Sequence, residues 1–148
     1  RKEILVSMSK LHEKKTFFDF DLKLNPKCKE GKELTLEWAQ GLGTPMLCLY
    51  GQTGVGKTHL AIASGWVVIG LGTPVLFYSS AELIRDLQTG VKDGTLNNTI
   101  NQVKSAQTLI LDDLGREYTS SWTTAIFHEI IDHRYNNNII LLMNLRRL

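Results

Sequence analysis

Short runs of consecutive apolar residues alternate along this chain with longer stretches in which apolar positions recur every three or four residues. The first kind reads as strand buried on both faces, the second as helix with one buried stripe. Residues 46–50, 74–78, 108–111 and 139–143 are the apolar runs and predict four strands. Between them, 60–69 reads as a largely apolar helix. Ser79 followed by Glu82 is a capping box opening a helix with Leu83, Ile84, Leu87 and Val91 on one face. Asp93-Gly94 is a turn, and a shorter helix is predicted over 98–106. Ser121 can cap a helix in which Trp122, Ile126, Phe127, Ile130 and Ile131 share a face, closed by the asparagines at 136–138. Strand and helix in alternation with short connections predict an α/β fold, a parallel sheet covered on both sides in three layers.

The first 45 residues read differently. Residues 1–15 are polar and basic, with Ile4, Leu5, Met8 and Leu11 spaced as one short helical face. Residues 16–25 are an irregular lead that lays Phe17, Phe18 or Phe20 on the domain, and Asn25-Pro26 is a turn. Residues 31–40 look helical, with Leu34, Leu36 and Trp38 available for packing. The expected organisation is an N-terminal lead over 1–45 and a core over 46–148.

Composition adds limits. A chain of 148 residues allows one domain with a full core. A net charge of +2 argues neither for nor against nucleic acid. Cys28 and Cys48 lack metal spacing, and Cys48, inside the first strand, is expected to be a buried core thiol. No secretory signal and no apolar run of transmembrane length are visible, so a soluble, cytoplasmic protein without membrane partners is expected. The chain begins at Arg1, not methionine, and is expected to be part of something longer.

The chemistry concentrates at residues 51–58, Gly51-Gln52-Thr53-Gly54-Val55-Gly56-Lys57-Thr58. This is G-x-x-x-x-G-K-[ST], the phosphate-binding loop. Its glycines let backbone N–H groups turn inward around phosphates. Lys57 can reach the β- and γ-phosphates and the Thr58 hydroxyl can ligate Mg²⁺. A helix beginning at Gly56 adds its positive end. His59, next in the chain, joins the nucleotide-binding candidates. An apolar strand before the loop and a helix after it are the context the motif requires.

Asp112 ends the third apolar run, 54 residues after Thr58. That is the placement of a Walker B acid, delivered by a buried strand to the crevice where Mg²⁺ bridges the phosphates. Asp113 should point elsewhere, because strand residues alternate, and is the candidate general base for an attacking water. Asn144 ends the fourth strand. In one group of phosphate-loop ATPases this strand lies between the first and third, and its terminal polar residue senses the γ-phosphate. The strand order 2-3-4-1 is therefore expected. Arg134, at a helix end, suits the helix dipole at least as well as any site.

Together these segments resemble the AAA+ ATPases of the DnaC/DnaI helicase-loader group, which includes the IstB-type transposition helpers. The resemblance rests on Gly56-Lys57-Thr58-His59-Leu60-Ala61, on Leu109 to Gly115, on Trp122, on His133-Arg134-Tyr135 and on Asn144-Leu145. It covers roughly residues 16–145. It implies that Asp112 holds Mg²⁺, that Asp113 is the catalytic acid-base residue, and that Asn144 is sensor 1. Leu142-Met143 stand where the family usually carries Thr-Thr or Thr-Ser. It also implies ATP or ADP as ligand, a replicative ring helicase and single-stranded DNA as partners, and head-to-tail self-assembly. The family's arginine finger and sensor 2 follow sensor 1, so both are expected beyond Leu148. Two other readings stay open: a transposition helper acting on duplex DNA, and a nucleotide switch without useful turnover.

Overall fold

A computed structural model describes residues 1–20, 28–51, 56–115 and 120–146. In chain order the elements are α1 (Lys2–Ser9), α2 (Lys29–Ala39), β1 (Met46–Gly51), α3 (Lys57–Gly70), β2 (Leu76–Ser79), α4 (Ser80–Asp93), α5 (Leu96–Ser105), β3 (Thr108–Leu114), α6 (Ser121–Asn136) and β4 (Ile140–Arg146). The strands pair in parallel in the order β1-β4-β3-β2, so β4 lies between β1 and β3 as expected.

Strand alternation sorts the core into two layers. Phe77, Ile110 and Leu142 face α1, α2 and α3, where Leu5, Trp38, Ala61 and Ile69 complete one cluster. Leu76, Tyr78, Leu109, Leu111 and Leu141 face α4, α5 and α6, meeting Leu83, Leu87, Val103, Phe127 and Ile130. Leu109, Ile110 and Leu111 are fully buried, as a central strand covered on both faces requires. The N-terminal segment is part of this packing: Leu5, Leu11, Phe17 and Phe20 belong to the α3 cluster. It is also tied down by polar contacts. Tyr78 donates to Asp86 Oδ2 at 2.6 Å, and Lys10 donates to the same oxygen at 3.3 Å while lying over the Tyr78 ring.

Helix ends follow local chemistry. The Ser79 hydroxyl accepts the Glu82 N–H, the expected cap of α4, and Gly94 ends that helix in a left-handed conformation. The cap of α6 is Ser120, whose hydroxyl accepts the Thr123 N–H, one residue before the expected Ser121.

Several side chains depart from expectation. Cys48 is exposed rather than a core thiol, because β1 is an edge strand and Cys48 and Tyr50 lie on its poorly covered face. Of the α1 residues expected on the packed face, Leu5 is buried while Ile4 and Met8 are exposed; Phe17 and Phe20 are buried and Phe18 is exposed. Leu34, Val91 and Trp122 also lie on outer helix faces. Arg134 is turned inward and fully buried. Its guanidinium donates to the carbonyls of Val103, Lys104 and Ala106 at the end of α5, and to that of Ile140 at the start of β4. Among the described residues no helix is long and apolar enough to cross a membrane.

Candidate functional site

Parallel pairing brings the C-terminal ends of β1, β3 and β4 to one edge of the sheet. Leu49 is in register with Asn144, Gly51 with Arg146, and Ser79 of β2 with Asp112. The chain leaving β1 re-enters described structure at Gly56, the cap of α3, whose φ is 93°. A side chain there would be strained, and it would also meet Phe20, whose Cε2 lies 2.4 Å from where a Cβ would stand. Gln52, Thr53, Gly54 and Val55 of the predicted loop lie outside the described residues, as does the turn at Asn25-Pro26.

Three predicted site residues converge. The Thr58 hydroxyl donates to Asp112 Oδ1 at 3.2 Å. The Asn144 amide donates to the same oxygen and lies 3.4 Å from the Thr58 hydroxyl. Asp112 and Asn144 are buried, at 5% and 2% exposure. Burial pushes the Asp112 carboxyl above the usual aspartate range, opposed by the hydrogen bonds from Asn144 and Thr58, while the Asp113 charge adds to the rise and the Asp113 N–H opposes it. Asn144 Oδ1 is buried and accepts no hydrogen bond among the described residues.

Lys57 stands at the start of α3 and its ammonium donates to the Gly51 carbonyl, joining the two ends of the loop. His59 faces the N-terminal segment instead. Its Nε2 is 2.7 Å from the Thr16 carbonyl and its ring meets Phe20 edge-on at 5.5 Å.

Asp113 is turned by a different device from simple alternation. Leu111 pairs with Met143 and Leu114 with Leu145, so Asp112 and Asp113 together oppose the single residue Asn144. This is a β-bulge, and within it Asp113 takes a left-handed φ of 58°. The Ser80 hydroxyl donates to the Asp113 carbonyl at 2.8 Å. Sequence reasoning missed the bulge and Ser80. Positive-φ turns favour Asp and Gly, so Asp113 and Gly115 were the available signal.

The donor set suits Mg²⁺. Thr58 and Asp112 offer hard oxygens, one of them ionisable, and Mg²⁺ is ordinarily held by one or two such groups with water and phosphate oxygens. Among the described residues no group of three or more His, Cys, Asp and Glu could form an all-protein cage.

Comparison with known proteins adds the relations of the chain. The profile of the family described as IstB-like ATP binding protein matches residues 1–146. A Pseudomonas aeruginosa protein, named for ATP binding and insertion sequence IS21, is 35% identical over 94 residues, covering 64% of this chain and 36% of its own. The replicative helicase loader DnaI of Bacillus subtilis is 32% identical over 96 residues, covering 63% of this chain and 30% of its own. The matched parts are thus about a third of each of these relatives. Among solved structures, the DnaC helicase loader superposes with a TM-score of 0.73 at 26% identity, over 89% of this chain and 79% of that one.

Proposed function

The chain belongs to the IstB-like ATP binding protein family, and we propose that it is an Mg-ATP-dependent ATPase acting at the cluster of Thr58, Asp112 and Asn144. The observation that carries this reading is the cluster itself. A hydroxyl, a buried carboxylate and a buried amide from three separate elements meet beside the start of α3. Thr58 and Asp112 would hold Mg²⁺, which when bound offsets the charge of the phosphates.

The chain's own residues supply the rest. Lys57 exchanges the Gly51 carbonyl for phosphate oxygens, and the N-terminus of α3 adds its dipole. Asp113 accepts the proton of the attacking water as the water oxygen bonds to the γ-phosphorus and the bond to the departing ADP oxygen breaks. Asn144 turns its unpartnered Oδ1 to that water.

The finer reading is helicase loading. ATP turnover would drive delivery of a replicative ring helicase to single-stranded DNA by a head-to-tail assembly of this protein. Likeness to DnaI and to the DnaC structure supports it. A second reading, a transposition helper beside a transposase, is favoured by the family profile and the 35% identity to the IS21-associated protein.

Calorimetric titration of ATP with Mg²⁺ tests the site. Lys57→Ala should weaken binding at least about tenfold, because the side-chain cation facing the phosphates is gone. Unchanged affinity refutes the site. Phosphate release by the full-length protein separates an ATPase from a switch without turnover. Co-purification with a ring helicase, or with a transposase, decides between the two partners.

A further inference from the structure

We infer that Ser80 is a positioning residue for Asp113, holding the left-handed backbone of the β3 bulge through the hydrogen bond from its hydroxyl to the Asp113 carbonyl. The inference rests on the ATPase reading above.

The need for Ser80 comes from the way β2 ends. β2 and β3 pair in register as far as Ser79 and Asp112. At the next residue β2 gives way to helix α4, so strand pairing with β2 stops where β3 reaches Asp113. A partly buried carbonyl beyond the end of the ladder is best satisfied by another donor. Ser80, the first residue of α4 and only 2% exposed, provides one at 2.8 Å from its hydroxyl. That bond fixes the peptide plane after Asp113, and with it the conformation that a non-glycine residue adopts only at a cost.

The two serines have separate duties. Ser79 accepts the Glu82 N–H and caps α4. Ser80 reaches across to β3, so the same helix start that Ser79 stabilises is fastened to the acid beside Asp112. A strand without the bulge would send Asp112 and Asp113 to opposite faces of the sheet. With the bulge, both residues lie opposite Asn144.

The test compares wild type, Asp113→Asn, Ser79→Ala, Ser80→Ala and Ser80→Thr in the full-length protein, by steady-state phosphate release and by crystal structures of the serine variants. Displacing a catalytic group by about 1 Å can cost about 100-fold. Ser80→Ala should therefore lower kcat about 10–100-fold with KM for ATP within about twofold of wild type. Ser80→Thr, which keeps the hydroxyl, should recover kcat to within a few-fold. Ser79→Ala should lower Tm and leave kcat unchanged. The Ser80→Ala structure should show the Asp113 carbonyl rotated away from its wild-type direction. Unchanged kcat in Ser80→Ala, or an equal loss in Ser79→Ala, overturns the inference. If Asp113→Asn turns over ATP normally, or wild type does not turn over at all, the ATPase reading fails. The structure still decides the positioning claim in that case: an Asp113 with unaltered positive φ and carbonyl direction in Ser80→Ala overturns it.

Discussion

The amide nitrogen of Asn144 lies 3.4 Å from the hydroxyl of Thr58, although 86 residues separate them along the chain. Both touch Asp112 Oδ1, so the carboxylate depends on two donors from different elements. Removing one leaves a buried charged acceptor short of a partner, a loss of about 1–3 kcal/mol. Asn144→Ala should therefore lower the unfolding free energy of the ligand-free protein, measured by urea unfolding, by an amount in that range. Asn144→Asp should cost more, because it sets a second carboxylate against Asp112. A smaller loss for Asp than for Ala would contradict this account.

The two acids should part by phenotype. Asp112 is buried, and burial dominates the upward shift of its carboxyl. The folded protein therefore holds this proton to a higher pH than the unfolded chain does. As pH rises from the ordinary aspartate range through the raised value, Asp112 lowers stability. Asp112→Asn removes the buried charge and keeps an oxygen for Thr58 and Asn144. Its ligand-free Tm at neutral pH should rise, by about 2–4 °C for each kcal/mol relieved. The same change should weaken Mg²⁺-dependent ATP binding. Asp113→Asn should leave binding nearly intact and abolish turnover. Thermal melts and titrations with and without Mg²⁺ check both, and a lower Tm for Asp112→Asn would sink the burial argument.

The chain states its sheet clearly and its fine geometry poorly. Residues 108–111 are apolar throughout because β3 is covered on both faces, and that signal is purely local. The loop motif fixed where Thr58 would stand, and the apolar runs fixed where Asp112 and Asn144 would. The exposure of Cys48 is hidden by the apolar run 46–50, which reads as covered on both faces, although the expected strand order itself puts β1 at the edge of the sheet. The bulge at Asp113 depends on where β2 stops and α4 begins, which is a property of two segments 33 residues apart. The inward turn of Arg134 was equally hidden. A cation in the last turn of a helix usually faces solvent, and only the ends of α5 and β4 give this one a reason to be buried.

Arg134 offers a prediction about stability. Burial lowers its pKa only to about 10, so it is charged at neutral pH, and it is held by four carbonyls. Those carbonyls end α5 and begin β4, so one planar fork closes two elements at once. Arg134→Ala would leave them unpaired in a cavity, a loss of about 3 kcal/mol or more. Arg134→Lys should recover little of it, since an ammonium cannot span the same fan of acceptors. Urea unfolding of both variants checks this, and wild-type stability in the lysine variant would show that charge alone suffices.

Gly56 and Phe20 give a test of the loop's fit to the N-terminal segment. At Gly56 two costs fall on any larger residue. Its φ of 93° strains an L side chain, by roughly 1–2 kcal/mol. A Cβ would also stand 2.4 Å from Phe20 Cε2, closer than atoms can approach, and at a tight 3.1 Å from Cζ. Phe20 is buried against His59, so its ring yields only by leaving that contact. Gly56→Ala should therefore lose both the backbone term and part of the packing that Phe20 contributes. Once the ring has been displaced, Phe20→Ala has less left to remove. The two substitutions should thus be less than additive, with a coupling of about 0.5–3 kcal/mol, the range typical of residues in contact. A double-mutant cycle by urea unfolding measures it. Strict additivity would mean that the glycine serves only its backbone angle, and that Phe20 does not depend on the space it leaves.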